Sequence, residues 1–222
     1  MTNKEKKLKK QAGFSLMELL IAMVVMLMLL GIVSTLLSRS MGVRARESRR
    51  TDALTSAQAA LNVMSREIAN SGYGIFDNSV TRIANNGLIL ADSNANQIHF
   101  RANITNTGPQ DDPIALQTSD PGEDITYFFD PTTDSIVRFD PNDNPQVSVV
   151  VNRISNVTFE YYNYEGSNST PTVTSVPTLD TGRVRINVTV QMDPVVGQPD
   201  NQQVSFTSEV TLRNSNYMLR QY

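Results

Sequence analysis

The chain has 222 residues and a formal net charge of −3, with 40% hydrophobic residues, which is enough for one medium domain and an appendage. Five lysines and one acid lie before Phe14, so the remainder holds 14 basic and 21 acidic residues, a body near −7 that lacks the basic face nucleic acid requires. There is no cysteine, which excludes disulfides and thiolate metal sites but leaves the compartment open.

Residues 1–13 are basic and polar, with Lys4, Lys6, Lys7, Lys9 and Lys10 against Glu5. Residues 14–37 are apolar apart from Glu18 and a few serines and threonines. At ~1.5 Å per residue this run is about 36 Å long, enough to cross a bilayer. It is apolar on every face, unlike a helix that lies half-buried on a soluble domain. It is too long for the core of a cleaved secretory signal, and no small-x-small pattern follows it.

Residues 38–73 continue the helix in amphipathic form. Leu54, Ala57, Leu61, Met64 and Ile68 recur at steps of three and four, while Arg49, Arg50, Gln58, Arg66 and Glu67 lie mainly off that stripe. No proline interrupts residues 14–71, and Gly72 is placed to stop the helix. The predicted helix is roughly 57 residues, ~85 Å long. A single domain cannot cover that length, so lipid or other subunits must cover its first half. Gly31 and Gly42 fall inside it, as points of loosening or of close helix contact.

Residues 74–222 change to a period of two. "QIHFRANI", "DITYFFD", "DSIVRFD", "QVSVVVN", "ISNVTFEYYNYE", "RVRINVTVQMD" and "QVSFTSEVTLRN" read as strands, with "GLILA" as a further candidate. "DPTTD", "DPNDNP" and "GSNSTP" read as turns, and Asn103 to Glu123 as a long loop. Val184, Ile186, Val188 and Val190 share one face, as do Val204, Phe206, Val210 and Leu212. The expected architecture is α+β: a long N-terminal helix whose amphipathic half covers an antiparallel sheet with one apolar face.

The N-terminus resembles a type IV prepilin or pseudopilin. The residues that carry this are the lysine-rich leader ending at Gly13, then Phe14, then an apolar helix with Glu18 as its fifth residue, "GFSLMELLIAMVVM". "MSREIANSGYGIF", "ISNVTFEYYNYEG" and "VTLRN" resemble the W-type minor pilins, which share a superfamily with the J-type minor pseudopilins of type II secretion. The resemblance implies a pilin-like fold and a prepilin peptidase that cuts between Gly13 and Phe14 and N-methylates the new Phe14 amine. Gly13 and Phe14 are then substrate positions. It also implies assembly with other minor pilins and a major pilin. The subunit would first sit in the bacterial inner membrane, N-terminus cytoplasmic and body periplasmic, before entering a pilus or pseudopilus at the cell surface.

An ionised carboxylate in hydrocarbon costs ~2.5 kcal/mol or more at mid-span. Glu18, near the end of the span, can snorkel to the headgroups. In an assembled bundle it can instead meet the Phe14 amine of a neighbour, which compensates two buried charges and fixes axial register. Flanking charge does not settle orientation, because Arg39, Arg44, Arg46, Arg49 and Arg50 follow the span as five lysines precede it. The N-terminus is placed in the cytoplasm on the leader's resemblance.

Other constellations read as structural. His99, the one histidine, sits in a strand pattern without a nucleophile motif. "DPNDNP" starts like a calcium loop at Asp140, Asn142 and Asn144, but Pro145 stands where that loop needs glycine, so a solvated turn is expected. Asn103, Asn156, Asn168 and Asn187 begin Asn-x-Ser/Thr triplets, as an Asn- and Thr-rich domain produces by chance. "FEYYNYEG" fits strand packing. No catalytic residue, metal site or cofactor is assigned. A minor pilin is the expected function, with a J-type pseudopilin, a pilin-displayed adhesive head and a membrane-anchored enzyme as the readings to be told from it.

Overall fold

A computed structural model describes residues 13–75, 86–107, 117–166, 170–192 and 203–220. The leader, apart from Gly13, lies outside the described residues, as do Asn168 and residues 108–116 of the expected loop. The chain divides into two compact units after Ser48. The first helix, α1 (Leu16–Ala69), has 54 residues, ~81 Å of continuous helix.

In the first unit every described residue is exposed, from Gly13 through Ser48. The leucines, methionines, valines and isoleucines of this segment stand at 45–81% exposure. Helix propensity alone does not hold such a segment in water, so its environment must supply the cover. Thr35 Oγ1 donates back to the carbonyls of Gly31 (2.6 Å) and Ile32 (3.1 Å), satisfying its hydroxyl without a neighbour. The helix passes Gly31 and Gly42 unbroken, and a methyl group at either would meet nothing within 4 Å. Within this chain neither glycine marks a break or a close contact.

In the second unit α1 buries Ala57, Ala60, Leu61, Met64 and Ile68, and Ala53 and Leu54 pack partly beside them. The stripe is the predicted one, with Ala60 added and Leu54 at its margin. The last turn tightens, with Asn70 N donating to Glu67 O and Ser71 N to Ile68 O. Gly72, at φ 78°, then turns the chain, and its N–H donates to Arg101 O at 2.9 Å. The helix therefore ends three residues before the glycine named as its stop.

The strands form two antiparallel sheets where one was expected. The first has β1 (Gln97–Arg101), β2 (Asp124–Asp130), β3 (Ser135–Phe139) and β4 (Val147–Asn152) in that order. The second has β5 (Asn156–Asn163), β6 (Thr172–Thr174), β7 (Thr181–Gln191) and β8 (Gln203–Thr211), in the order β6-β5-β7-β8. The split falls at Arg153, where φ is 61°; Ile154 N then donates to Asp134 O and Ser155 N to Thr189 O, joining the two sheets' chains. A positive φ at an arginine gives no periodicity signal, so the break was not readable. All seven expected strands are present. "GLILA" contributes only an isolated bridge between Leu88 and Phe100, and the three-residue β6 is too short to show a period.

One core joins the elements of this unit. Val184, Ile186, Val188 and Val190 of β7 are all fully buried, alongside Val157, Phe159 and Tyr161 of β5 and Ile98, Ile125, Tyr127 and Ile136 of the first sheet. Each such side chain contributes roughly 1.5–3 kcal/mol by leaving water. Glu67 on α1 adds a polar clamp, accepting from Tyr127 Oη (2.5 Å) and Arg138 Nε (3.2 Å). Burial, with the Glu67 carboxylate beside it, pushes the Tyr127 hydroxyl far up, so it stays a donor. A short C-terminal helix, α2 (Asn216–Leu219), docks through Tyr217, which stacks on Tyr164 at 3.8 Å between centroids. Gly182 makes room for that stack: a Cβ there would lie 2.6 Å from Tyr217 Cβ.

Register fixes the outer face of the first sheet. Phe128 pairs with Val137, Val137 with Val149, and Phe139 with Val147, so these five point away from the core face. Val137 is buried yet stands apart from the main core cluster, covered by its neighbours on that face. Val147 and Val149 remain 54% and 58% exposed.

Candidate processing and assembly site

Gly13, Phe14 and Ser15 precede the first helical residue, and Phe14 is 88% exposed. An extended, exposed peptide is what a protease can bind, and the helix begins only after it. Ser15 is the N-cap. Its Oγ accepts from Met17 N at 3.4 Å, and its backbone N–H donates to Glu18 Oε2 at 3.1 Å. Leu19 N donates to Ser15 O, the first turn of the helix. Ser15-x-x-Glu18 is thus a capping box, in which the side chains of Ser15 and Glu18 each accept from an orphan backbone N–H at the helix start.

Glu18 therefore has a partner within its own chain, one that the reading from sequence did not weigh. The signal was present as serine three residues before glutamate at the start of an apolar run. The helix N-terminus also favours a negative charge there. The two roles are compatible, because a carboxylate accepts more than one bond and the cap engages Oε2, leaving Oε1 for a second donor.

A further pattern went unnoticed in the sequence. All five lysines lie in residues 4–10, and all 14 basic side chains after Gly13 are arginine. A chain cut after Gly13 contains one amine, the α-amine of Phe14. No lysine of the chain itself then competes for Glu18.

The other candidates resolve into structural roles. His99 sits between two aspartates, Nδ1 at 3.0 Å from Asp92 Oδ2 and Nε2 at 2.5 Å from Asp124 Oδ1. Burial pulls its pKa down, but the bonds to Asp124 and Asp92 outweigh that and hold it above 6.5. Asp124, pushed up by burial, is held below its ordinary value by His99 and Arg101, whose Nε lies 2.9 Å away. The expectation of a solvated "DPNDNP" turn needs correcting at Asp140, which is fully buried. Its Oδ2 accepts from Gly122 N and Arg138, and its Oδ1 from Asn142 N, so the carboxylate ties two loops together. No group of three or more His, Asp or Glu side chains is placed to hold a metal ion among the described residues. In "FEYYNYEG", Phe159 and Tyr161 enter the core while Tyr162 lies under the guanidinium groups of Arg183 and Arg185. Asn103 is buried, whereas Asn156 and Asn187 lie on β5 and β7.

Residues 8–34 match the family model described as the prokaryotic N-terminal methylation motif. No curated protein and no solved structure matches the chain. The match covers Gly13 and Phe14 as well as Ser15 and Glu18 of the cap, and α1 is long and apolar enough to cross a membrane. The chain thus carries a prepilin-type N-terminal methylation motif at the head of a helix whose length and composition fit membrane anchoring.

Proposed function

We infer that the chain is a minor pilin that assembles or primes a type IV pilus, in a tip complex with other minor pilins, and that its part is structural rather than enzymatic. The observation that carries this is the methylation motif with Glu18 as the single acid in residues 14–37 of an otherwise bare helix. Prepilin peptidase would cut the Gly13–Phe14 bond on the cytoplasmic side and methylate Phe14. The body would stand in the periplasm until the subunit moves from the inner membrane into the filament. The W-type assignment rests on the segments "MSREIANSGYGIF", "ISNVTFEYYNYEG" and "VTLRN".

The cut replaces an amide with a basic amine beside the cap. When hydrocarbon surrounds both, that amine and the Glu18 carboxylate each need an opposite charge. A neighbour's amine at Glu18 Oε1 satisfies both and fixes the axial position of one helix against the next.

N-terminal sequencing and mass measurement of the protein from cells test the processing. The expected result is methyl-Phe14 as first residue, with an amine-directed reagent labelling the mature chain at one position only. An intact Lys-rich leader would overturn the reading. Deleting the gene then separates the two filament roles: loss of surface pili supports the minor pilin, and loss of secretion with normal pili supports the J-type pseudopilin. A pilin-displayed binding head would need an exposed apolar patch, and Val147 and Val149 provide one. Normal piliation with lost surface attachment would favour that reading.

A further inference from the structure

The Gly13–Phe14 bond lies just before the start of α1 at Leu16. In an α-helix each N–H bonds the carbonyl four residues back. A helix that ran back through this bond would therefore join Met17 N–H to the Gly13 carbonyl and Ser15 N–H to the Gln11 carbonyl. Both donors are already engaged: Met17 N donates to Ser15 Oγ at 3.4 Å, and Ser15 N to Glu18 Oε2 at 3.1 Å. Gly13 and Phe14 accordingly stand outside the helix, exposed. The residues upstream do little to hold that boundary. Lys9, Lys10, Gln11 and Ala12 are all good helix formers, and only Gly13 opposes propagation. At a membrane face the pull to extend the helix is stronger than in water, because hydrocarbon offers an orphan N–H no partner.

We propose that Ser15 is a positioning residue for processing: its cap stops α1 at Leu16 and so keeps the Gly13–Phe14 bond extended for a peptidase to seat. The cut adds water across that amide and leaves a Gly13 carboxylate and a Phe14 amine; Ser15 takes no part in the chemistry. An extended chain advances ~3.3 Å per residue with its carbonyls free for a partner strand. A helical one advances ~1.5 Å and ties the Gly13 carbonyl to Met17. A peptidase that meets the helical form must first unwind it. Loss of the cap therefore lowers the fraction of chains ready to bind and leaves the bound complex as it was. The inference rests on the processing reading and adds the residue that controls access to its bond.

The test uses the full-length chain in lipid vesicles with purified prepilin peptidase. Loss of residues 1–13 is followed by mass against the mole fraction of substrate in the membrane. Ser15→Ala should raise KM roughly five-fold with kcat unchanged, the bias that an N-cap of ordinary strength supplies. Ser15→Thr should keep the low KM, because threonine also caps. Ser15→Ala with Leu16→Pro should restore KM without any hydroxyl. Proline is preformed for the first helical position, gives up only an N–H that the helix start leaves unbonded, and holds the residue before it extended. The Cα chemical shifts of Gly13 and Phe14 in the uncut chain should turn helical in Ser15→Ala and return in the double variant. Equal KM for wild type and Ser15→Ala would overturn the proposal. So would a fall in kcat that Leu16→Pro does not rescue, which would make the hydroxyl a contact of the peptidase itself. A wild-type chain that keeps its leader would instead overturn the processing reading on which the proposal stands.

Discussion

The two halves of α1 share one backbone and have opposite sources of order. Residues 14–37 are apolar all round and every one is exposed, whereas the half beyond Arg49 presents one narrow stripe, buried against two sheets. Solvent selects the first half and the chain's own core holds the second. A substitution in the first half should therefore be silent in folding and felt in assembly, and one in the second the reverse.

Glu18→Val should show the largest effect, loss of incorporation into the filament with membrane insertion and the unfolding midpoint of the β domain unchanged. Glu18→Gln should also abolish incorporation, because an amide can still accept from Ser15 but carries no charge for a partner amine. Comparing filament fractions of the two variants isolates charge from capping. Normal incorporation of Glu18→Gln would leave only the capping role. Next in size, Met64→Ala should cost the folded domain ~2–5 kcal/mol, since its side chain is fully buried in the core. Leu27→Ala, at 67% exposure in the first half, should leave the same denaturation curve unmoved. A comparable loss from both would erase the distinction between the halves.

How far this was legible follows from the same contrast. The buried stripe of α1 and the alternation of β7 and β8 come from burial on one face, which writes a period into the sequence. Gly13, Phe14 and Glu18 stand out because a written motif spans them, residues 8–34. The sheet break at Arg153, the bonding of Asp140 and the room left by Gly182 were not legible. Each depends on a single residue meeting another far along the chain, and a one-residue event has no period. The capping box at Ser15 and Glu18 is the exception: it was local and written out, and attention to the charge of Glu18 hid its hydrogen bonding.

Two smaller effects probe the second half alone. Gly182→Ala drives a methyl group into Tyr217 and Tyr164, so it should cost about 1–3 kcal/mol and loosen α2, read as faster proteolysis of the C-terminus. Tyr127→Phe removes the donor to Glu67 from the clamp between helix and sheet. A hydrogen bond to a charged group contributes ~1.5–3 kcal/mol, and Arg138 still serves Glu67, so a loss near the lower figure is expected. A double-mutant cycle with Glu67→Ala should give a coupling of the same size, and additive losses would remove the clamp from the account.

The smallest effect is a pH dependence confined to the β1–β2 face. The groups that face His99 are Asp92, Asp124 and, through Asp124, Arg101. The folded pKa of His99 is raised above its unfolded value of 6.5, so its contribution is complete below 6.5 and is lost as pH rises through the higher folded value. Asp124 is lowered from 3.8, so its contribution is present above 3.8 and is lost only as pH falls through the lower folded value. The pair therefore stabilises most between those two ordinary values, and the chain should be more stable near pH 5 than near pH 8. His99→Gln keeps a polar side chain and removes the titration, so denaturant midpoints across that range should become flat. A slope that survives the substitution would have to come from a group other than His99.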